Sequence, residues 1–334
     1  MSQKSNILLH LDPSISSQNT GDLIISEAIE SQLSEISQTA FQLKAPTQFN
    51  MGRLGIRLNK GAVVTVVGGT NLLTSFPLQY RQWQISFAQA FQLRNVVLMG
   101  VGWWQYQAEP SLFGQTFLRA ALSSKIPHSV RDRHTQTKLL DMGFRNVIYT
   151  GCPTMWGLSP EHCKSIPTQK GDSAIVTITD YKPDHSVDKE WLEAVAGSYK
   201  KIFFWPQGAG DLEYFTSLGV GGFEYLPPSL RAFNSILEKV PRIDYVGTRL
   251  HGGIRAMQFG KRALVLQVDN RAAEISKDTG LPVIDRKEVA KIRSYIDGSY
   301  ATVLDLPVEN IREWKASIRS LFERPGGRDE SSIT

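Results

Sequence analysis

Two cysteines, Cys152 and Cys163, are all that 334 residues contain. They make no Cys-x-x-Cys pair, and no His, Cys or carboxylate cluster has the spacing of a metal site, so no resident metal is expected. So few thiols exclude a disulfide scaffold and fit a reducing compartment. Apolar runs approaching the ~20 residues that span a bilayer are missing. Residues 1–6 are polar and Ile7–Leu11 is too short for a signal core, so a cytoplasmic location is expected. Long Lys/Arg runs and nucleic-acid motifs are also absent, and no nucleic-acid partner is expected. The formal charge of +5 is a mild excess, compatible with acidic substrates or with peripheral contact at an anionic inner membrane face.

What is present is a strand–helix rhythm. A hydrophobic content of 41% supplies sizeable cores, and the length predicts two domains. Short apolar runs read as strands at residues 6–11, 62–67, 96–99, 128–130 and 147–149, and again at 174–179, 201–205, 223–226, 243–246 and 263–268. Helical patterns fill the gaps, beginning with Gly21–Ile36. This alternation predicts an α/β fold of two Rossmann-like domains with mostly parallel sheets. The first domain is expected over 1–158 and the second over 172–306, joined by the Pro-containing Ser159–Gly171. A helix over 307–323 is expected to cross back onto the first domain, and the tail 324–334 to be disordered.

The stretch from Ile243 to Ile284 carries the strongest chemical signal. A strand, Ile243–Val246, meets Gly247-Thr248, with Thr248 a candidate N-cap for a helix centred on Ile254 and Met257. The loop between them holds Arg249, His251, Gly252 and Gly253. Ligands of open parallel sheets bind beyond the carboxyl ends of the strands. A helix start offers free N–H groups there, and Gly252 and Gly253 would let a ligand approach the backbone. Arg249 can grip a phosphate or carboxylate, and His251 can carry a proton near neutral pH. A structural loop, with Arg249 paired to a neighbouring carboxylate, is the competing reading. Arg255 follows His251 by one turn and either adds positive charge to the site or is solvated.

Other strand ends carry weaker signals. Asn19 and Asp22 open the first long helix, where they either cap it or face a cleft and bind sugar hydroxyls. Gly69 and Asn71 follow a strand. Gly100-Val101-Gly102 lacks the rest of a dinucleotide fingerprint, so a nicotinamide site is rejected. Trp103 and Trp104 come next, one expected in the core and the other free to stack on a sugar ring. Arg131-Asp132 ends a strand as a local ion pair or as an anion ligand beside a base. Gln207 ends another, within reach of a ligand.

In order, Asn19/Gly21/Asp22, Gly68-Gly69, Gly100-Val101-Gly102, Val130-Arg131-Asp132, Cys152-Pro153, Thr248-Arg249-Leu250-His251-Gly252, Asp269 and Gly280-Leu281-Pro282 resemble successive motifs of the polysaccharide pyruvyl transferase family. The resemblance covers most of the chain. It implies a GT-B-like arrangement, with a cleft between two Rossmann-like domains. It also implies transfer of pyruvate from phosphoenolpyruvate to two hydroxyls of one sugar, forming a cyclic ketal and releasing phosphate. The partners implied are phosphoenolpyruvate and a sugar acceptor, free or lipid-linked, with no cofactor. Arg249 and Arg131, with Gly252, Gly253, Arg255 and Gln207, are then donor-side candidates, and His251 is the general acid. Asp132 or Asp22 is the base, and Asn19, Asp22, Gly69, Asn71 and Trp103 are acceptor-side candidates. Gln207 stands where some members carry a His, a departure that bears on substrate detail. The alternatives are a nucleotide-sugar glycosyltransferase on the same fold, for which no acidic ribose ligand stands near the anion loop, and a noncatalytic module binding a phosphorylated metabolite or glycan.

Overall fold

The computed structural model describes residues 6–323. The tail over 324–334, expected to be disordered, lies outside the described residues. In the first half the order is β1 (Ile7–Asp12), α1 (Gly21–Ile36), β2 (Phe41–Pro46), α2 (Gly52–Gly61), β3 (Val64–Gly68), β4 (Asn71–Leu73), α3 (Phe87–Ala90), β5 (Val96–Met99), β6 (Gly102–Trp103), α4 (Leu112–Ala121), β7 (His128–Val130), α5 (Arg133–Asp141) and β8 (Val147–Tyr149). A 3-10 turn over Pro153–Met155 and α6 (Pro160–Ser165) lead into the second half. There follow β9 (Ser173–Thr177), α7 (His185–Ser198), β10 (Lys201–Phe204), α8 (Asp211–Ser217), β11 (Phe223–Tyr225), α9 (Leu230–Lys239), β12 (Ile243–Gly247), α10 (Leu250–Gln258), β13 (Ala263–Gln267), α11 (Asn270–Thr279), β14 (Val283–Asp285), α12 (Val289–Asp297) and α13 (Val308–Arg319).

Both halves are parallel sheets with helices on both faces, an α/β fold of two Rossmann-like units. The first sheet has the order β2-β1-β3-β5, and a bridge between Val101 and Val130 carries it on to the β7-β8 pair. β1 shows why both faces are covered. Leu9 and Leu11 point into one core with Val67 and Leu98, while Leu8 packs on the other side with Val66 and Ile29 of α1. Along α1, Ile25, Ile29, Leu33 and Ile36 recur at helical spacing and are all buried. Burying each such side chain contributes about 1.5–3 kcal/mol. The second sheet has the order β11-β10-β9-β12-β13-β14.

Strand order positions the site. In the second sheet the chain runs outward from β9 in one direction, then returns to start again at β12. In the first sheet the same reversal falls between β1 and β3. Ligand crevices form at such switch points, outside the carboxyl ends of the strands. The segments leaving β1, β3, β9 and β12 therefore all open on one cleft. The halves are stitched beside it by Thr20 N–H to the Gln207 carbonyl at 2.8 Å and Ala209 N–H to the Gln18 carbonyl at 3.0 Å. On the far side Tyr106 Oη donates to Glu274 Oε1 at 2.6 Å. α13 lies on the first half: Trp314 Nε1 donates to the Pro127 carbonyl at 3.0 Å, and Trp314 and Ile318 join the core under α1.

Candidate active site

A cleft of ≈ 600 Å³ opens between the halves. The first half contributes Asn19, Asp22, Gln48, Asn71 and Trp104 to its lining, and the second Asp180, Tyr181, Lys182, Arg249, Asp269 and Arg271. Arg249 and Arg271 flank the Tyr181 ring, with their guanidinium carbons 5.3 and 5.6 Å from its centre. Cation–π contact and charge make this the positive wall of the cleft.

Arg249 is anchored from beneath. Its Nε donates to Asp211 Oδ2 at 3.0 Å and to the Ile178 carbonyl at 3.2 Å, and its Nη2 donates to both Asp211 and Asp180. Asp211 is fully buried, which pushes its carboxyl up while Arg249 opposes the shift. The Nε–Nη2 edge is thus committed to Asp211, and Nη1 is the part of the guanidinium left for a ligand. Arg271 donates to Asp269 through Nε at 2.9 Å and to the Tyr181 hydroxyl. Burial alone would raise the Asp269 carboxyl, yet Arg271 holds it well below the usual carboxylate range.

Asp22 stands on the opposite wall, at the start of α1. Burial raises its carboxyl to about 6, against hydrogen bonds from Ser17 at 2.5 Å and Gln48 at 3.4 Å. A carboxyl poised there is charged at neutral pH and close to the range in which it can take a proton. Asn19 caps the same corner: its Oδ1 accepts from Gly21 N at 3.0 Å and from Gln207 Nε2 at 2.9 Å. Gln207 Oε1 is buried with no partner.

His251 is buried and does not line the cleft, and its pKa is lowered to about 3 by burial and by the charges of Arg131 and Arg271. It is neutral at neutral pH. Its Nε2 lies 3.7 Å from the Cys152 sulfur, across the junction of the two halves. Arg131 is buried at the end of β7, hydrogen-bonded to Asn71 Oδ1, and its Nε has no hydrogen-bond partner. Its guanidinium lies so close on Gly102 that a Cβ there would fall 2.0 Å from Nη2, so only glycine admits it.

Several expectations are corrected. The helix after β12 starts at Leu250, one residue later than a Thr248 cap would set it, and Arg249 occupies its N-cap position. Thr248 turns away to donate to Thr179 Oγ1 at 2.9 Å. Gly252 and Gly253 therefore lie inside α10 and serve packing, because a Cβ at Gly253 would meet Val265 Cγ2 at 2.6 Å and one at Gly252 the Tyr245 ring. Arg255 points out of the cleft to Glu27 of α1 at 2.9 Å. Asp132 caps α5, accepting from Thr135 N at 2.7 Å, lies 3.5 Å from Arg131 Nε through its other oxygen, and does not line the cleft. Trp103 is fully buried in the core, and Trp104 is the member of the pair that reaches the cleft. Gly69 is closed in by the Gly100 carbonyl. Tyr181, Lys182, Asp180, Asp211 and Arg271 were not legible as site residues, although the position of Asp269 and Arg271 just beyond an apolar strand offered a signal.

Among the described residues, His10, Asp12 and Glu30 form a group able to gather round a metal ion. The Lys44 ammonium already lies there, 3.1 Å from Asp12 Oδ2 and bonded to Glu30.

The sequence profile of polysaccharide pyruvyl transferases matches residues 19–201, more than half of the chain. The chain belongs to the polysaccharide pyruvyl transferase family. The chain is accordingly a transferase of polysaccharide synthesis. No curated protein sequence matches it. Among solved structures, it is similar to Arabidopsis thaliana UGT89C1 complexed with UDP, at 11% identity and a TM-score of 0.41, over 96% of this chain and 94% of that one. It is also similar to the wall teichoic acid polymerase TagF, at 10% identity and 0.43, over 97% and 85%. Among the described residues, no helix is long and apolar enough to cross a membrane.

Proposed function

We propose that this pyruvyl transferase moves pyruvate from phosphoenolpyruvate to two hydroxyls of one sugar in a polysaccharide or its precursor. A cyclic ketal forms and phosphate leaves. One observation carries the reading: Arg249 and Arg271 line the same cleft as Asp22, whose carboxyl is raised to about 6. The donor carries a phosphate and a carboxylate, which need the cations. The acceptor carries hydroxyls, which need a base.

The donor anions sit against Arg249 Nη1, Arg271 and Lys182, while Asp180 and Asp211 keep Nη2. Their charge opposes the field of Arg131 and Arg271 on His251 and so raises its pKa, against burial, the larger cause that holds it down; the step requires that the ring then take up a proton. That proton goes to the enol methylene, which becomes the methyl group. One sugar oxygen bonds to the neighbouring carbon as its proton passes to Asp22. The second hydroxyl oxygen then bonds to the same carbon, the carbon–oxygen bond to phosphate breaks, and the second hydroxyl proton leaves with the phosphate. Trp104, half-buried in the cleft, offers an aromatic face to the sugar ring.

The test is incubation of the purified protein with phosphoenolpyruvate and a panel of glycosides, following phosphate and product mass. Phosphate release should match a product heavier by pyruvate less water. Donor binding without phosphate release would overturn the reading in favour of a noncatalytic module, and sugar transfer from a nucleotide sugar would overturn it in favour of a glycosyltransferase.

A further inference from the structure

Between Phe41 and Val130 the chain carries eight Lys or Arg and a single acid, Glu109. The whole chain is only +5, so this part of the first half holds all of the basic excess. Its one acid is taken by Lys138 at 2.6 Å. Arg53, Arg57, Lys60, Arg81, Arg94 and Lys125 are exposed and enter no ion pair among the described residues. In the second half acids are interspersed with the cations, and Lys170, Lys201 and Lys291 pair with Asp297, Glu224 and Glu288.

Apolar side chains are exposed among these cations. α2 sets Arg53, Arg57 and Lys60 in one stripe, at i, i+4 and i+7, with exposed Leu54 beside it. Asn50 and Gln89 exchange two hydrogen bonds of 3.0 Å, which hold the start of α2 against α3. There Phe87 stacks on Phe113 of α4 at 4.7 Å and meets Phe91 edge-on at 5.0 Å. Leu78 and Arg81 line the same groove. Phe91 is 61% exposed and Leu112, beside Phe113, 82%. Contiguous apolar surface ringed by unpaired cations marks a binding face.

This face also continues into the cleft. A cavity of ≈ 220 Å³ shares Gln48, Asn71 and Gln82 with the cleft, and Arg81 and Gln84 with the aromatic groove.

We propose that this face docks the chain on an anionic phospholipid surface. Guanidinium and ammonium groups meet the headgroups, while Leu54, Leu78, Phe91 and Leu112 enter the interfacial layer. Nucleic acid would use exposed rings and phosphate-binding cations, but it would leave the exposed leucines without a role. Docking sets the mouth of the cleft beside the bilayer, where a membrane-tethered sugar reaches it. The proposal goes beyond the pyruvyl transfer reading and does not require it.

The experiment is sedimentation of the full chain with vesicles of phosphatidylcholine alone or mixed equally with phosphatidylglycerol. Binding to the mixed vesicles is expected, with weak binding to phosphatidylcholine and loss as salt rises. Each cation near such a surface is worth about 1 kcal/mol, so Arg53→Gln/Arg57→Gln/Arg81→Gln should lower partitioning about a hundredfold. Phe91→Ser/Leu112→Ser should lower it at unchanged charge, and Lys201→Gln/Lys291→Gln in the second half should not. Because all of these side chains are exposed, unchanged melting midpoints should certify the fold. Failure of the unaltered chain to bind the anionic vesicles would overturn the proposal without touching the activity. So would equal losses in the second-half variant, or tight binding to single-stranded DNA in the absence of vesicle binding.

Discussion

Arg249 and Asp211 form a buried, two-point pair: Nε reaches Oδ2 at 3.0 Å and Nη2 reaches Oδ1. Asp211 also accepts from the Gln207 and Gly208 N–H groups at 3.1 and 2.7 Å, so the pair fixes the loop after β10 to the start of α10. The residue that leads the cation wall of the cleft is therefore also a structural pin between two strand ends.

Removing one partner of such a pair leaves an uncompensated buried charge. Arg249→Met should lower stability by about 3–5 kcal/mol, read from denaturant unfolding. Arg249→Met/Asp211→Leu should recover much of that while leaving donor binding lost. Arg249→Lys keeps the charge but cannot meet both Asp211 oxygens and the donor together, so it should weaken donor binding and stability alike. A fully stable Arg249→Met would mean that the pair contributes nothing to the fold.

Asp22 sets a pH dependence in two observables. As the acceptor's base it must be charged, so turnover should fall as pH drops through about 6, and Asp22→Asn should remove both that limb and most of the rate. For stability the sign runs the other way. A carboxyl raised from 3.8 to about 6 in the folded state prefers the proton there. Its contribution to stability is greatest below 3.8, is lost as pH rises through that window, and is constant above it. Asp22→Asn should flatten this part of the stability profile. A profile identical to that of the parent chain would detach the raised pKa from Asp22.

Much of the fold was legible in apolar runs closed by Gly or Pro. The strands at 96–99, 128–130 and 147–149 have the expected bounds, and so does α1, whose apolar residues follow a helical period. β2 was missed because it pairs only with β1 and shows Phe41 and Gln42 to solvent, which hides the apolar run of a buried parallel strand. α2 was missed because it contains Gly52, Gly55 and Gly61. In the site, Arg249 and Asp22 were legible from their places at a strand end and a helix start. Tyr181 and Arg271 were not, because only the crossing from β9 to β12 and the twist of the sheet bring segments so distant in the chain to one wall. Local spacing cannot show which of Trp103 and Trp104 faces inward. The pairing of β6 with β4 decides it.

That inversion can be tested directly. Trp103 is fully buried, so Trp103→Ala should cost about 3–5 kcal/mol of stability. Trp104→Ala should leave stability within about 1 kcal/mol and raise the acceptor KM. Tyr80 lies 4.6 Å from Trp104, ring centre to ring centre, and keeps the indole upright in the cleft. An unchanged acceptor KM in Trp104→Ala would remove that face from sugar recognition.

His251 separates catalysis from binding. Its pKa is about 3, because burial and then Arg131 and Arg271 disfavour the charged ring. A general acid must be protonated when the enol carbon needs its proton, so the donor's own charge has to supply the shift. Binding of phosphoenolpyruvate at neutral pH should therefore take up protons, approaching one per site. Calorimetry in buffers of different ionisation enthalpy measures that uptake. His251→Gln keeps a hydrogen-bonding side chain beside Cys152 but holds no transferable proton. It should abolish the uptake and lower turnover about 10²–10⁴-fold, while donor affinity, carried by Arg249 and Arg271, changes little. Uptake that persists in His251→Gln would place the proton on another group of the cleft. Turnover near that of the parent chain would make His251 a packing residue and leave Asp22 as the only proton carrier derived from the geometry.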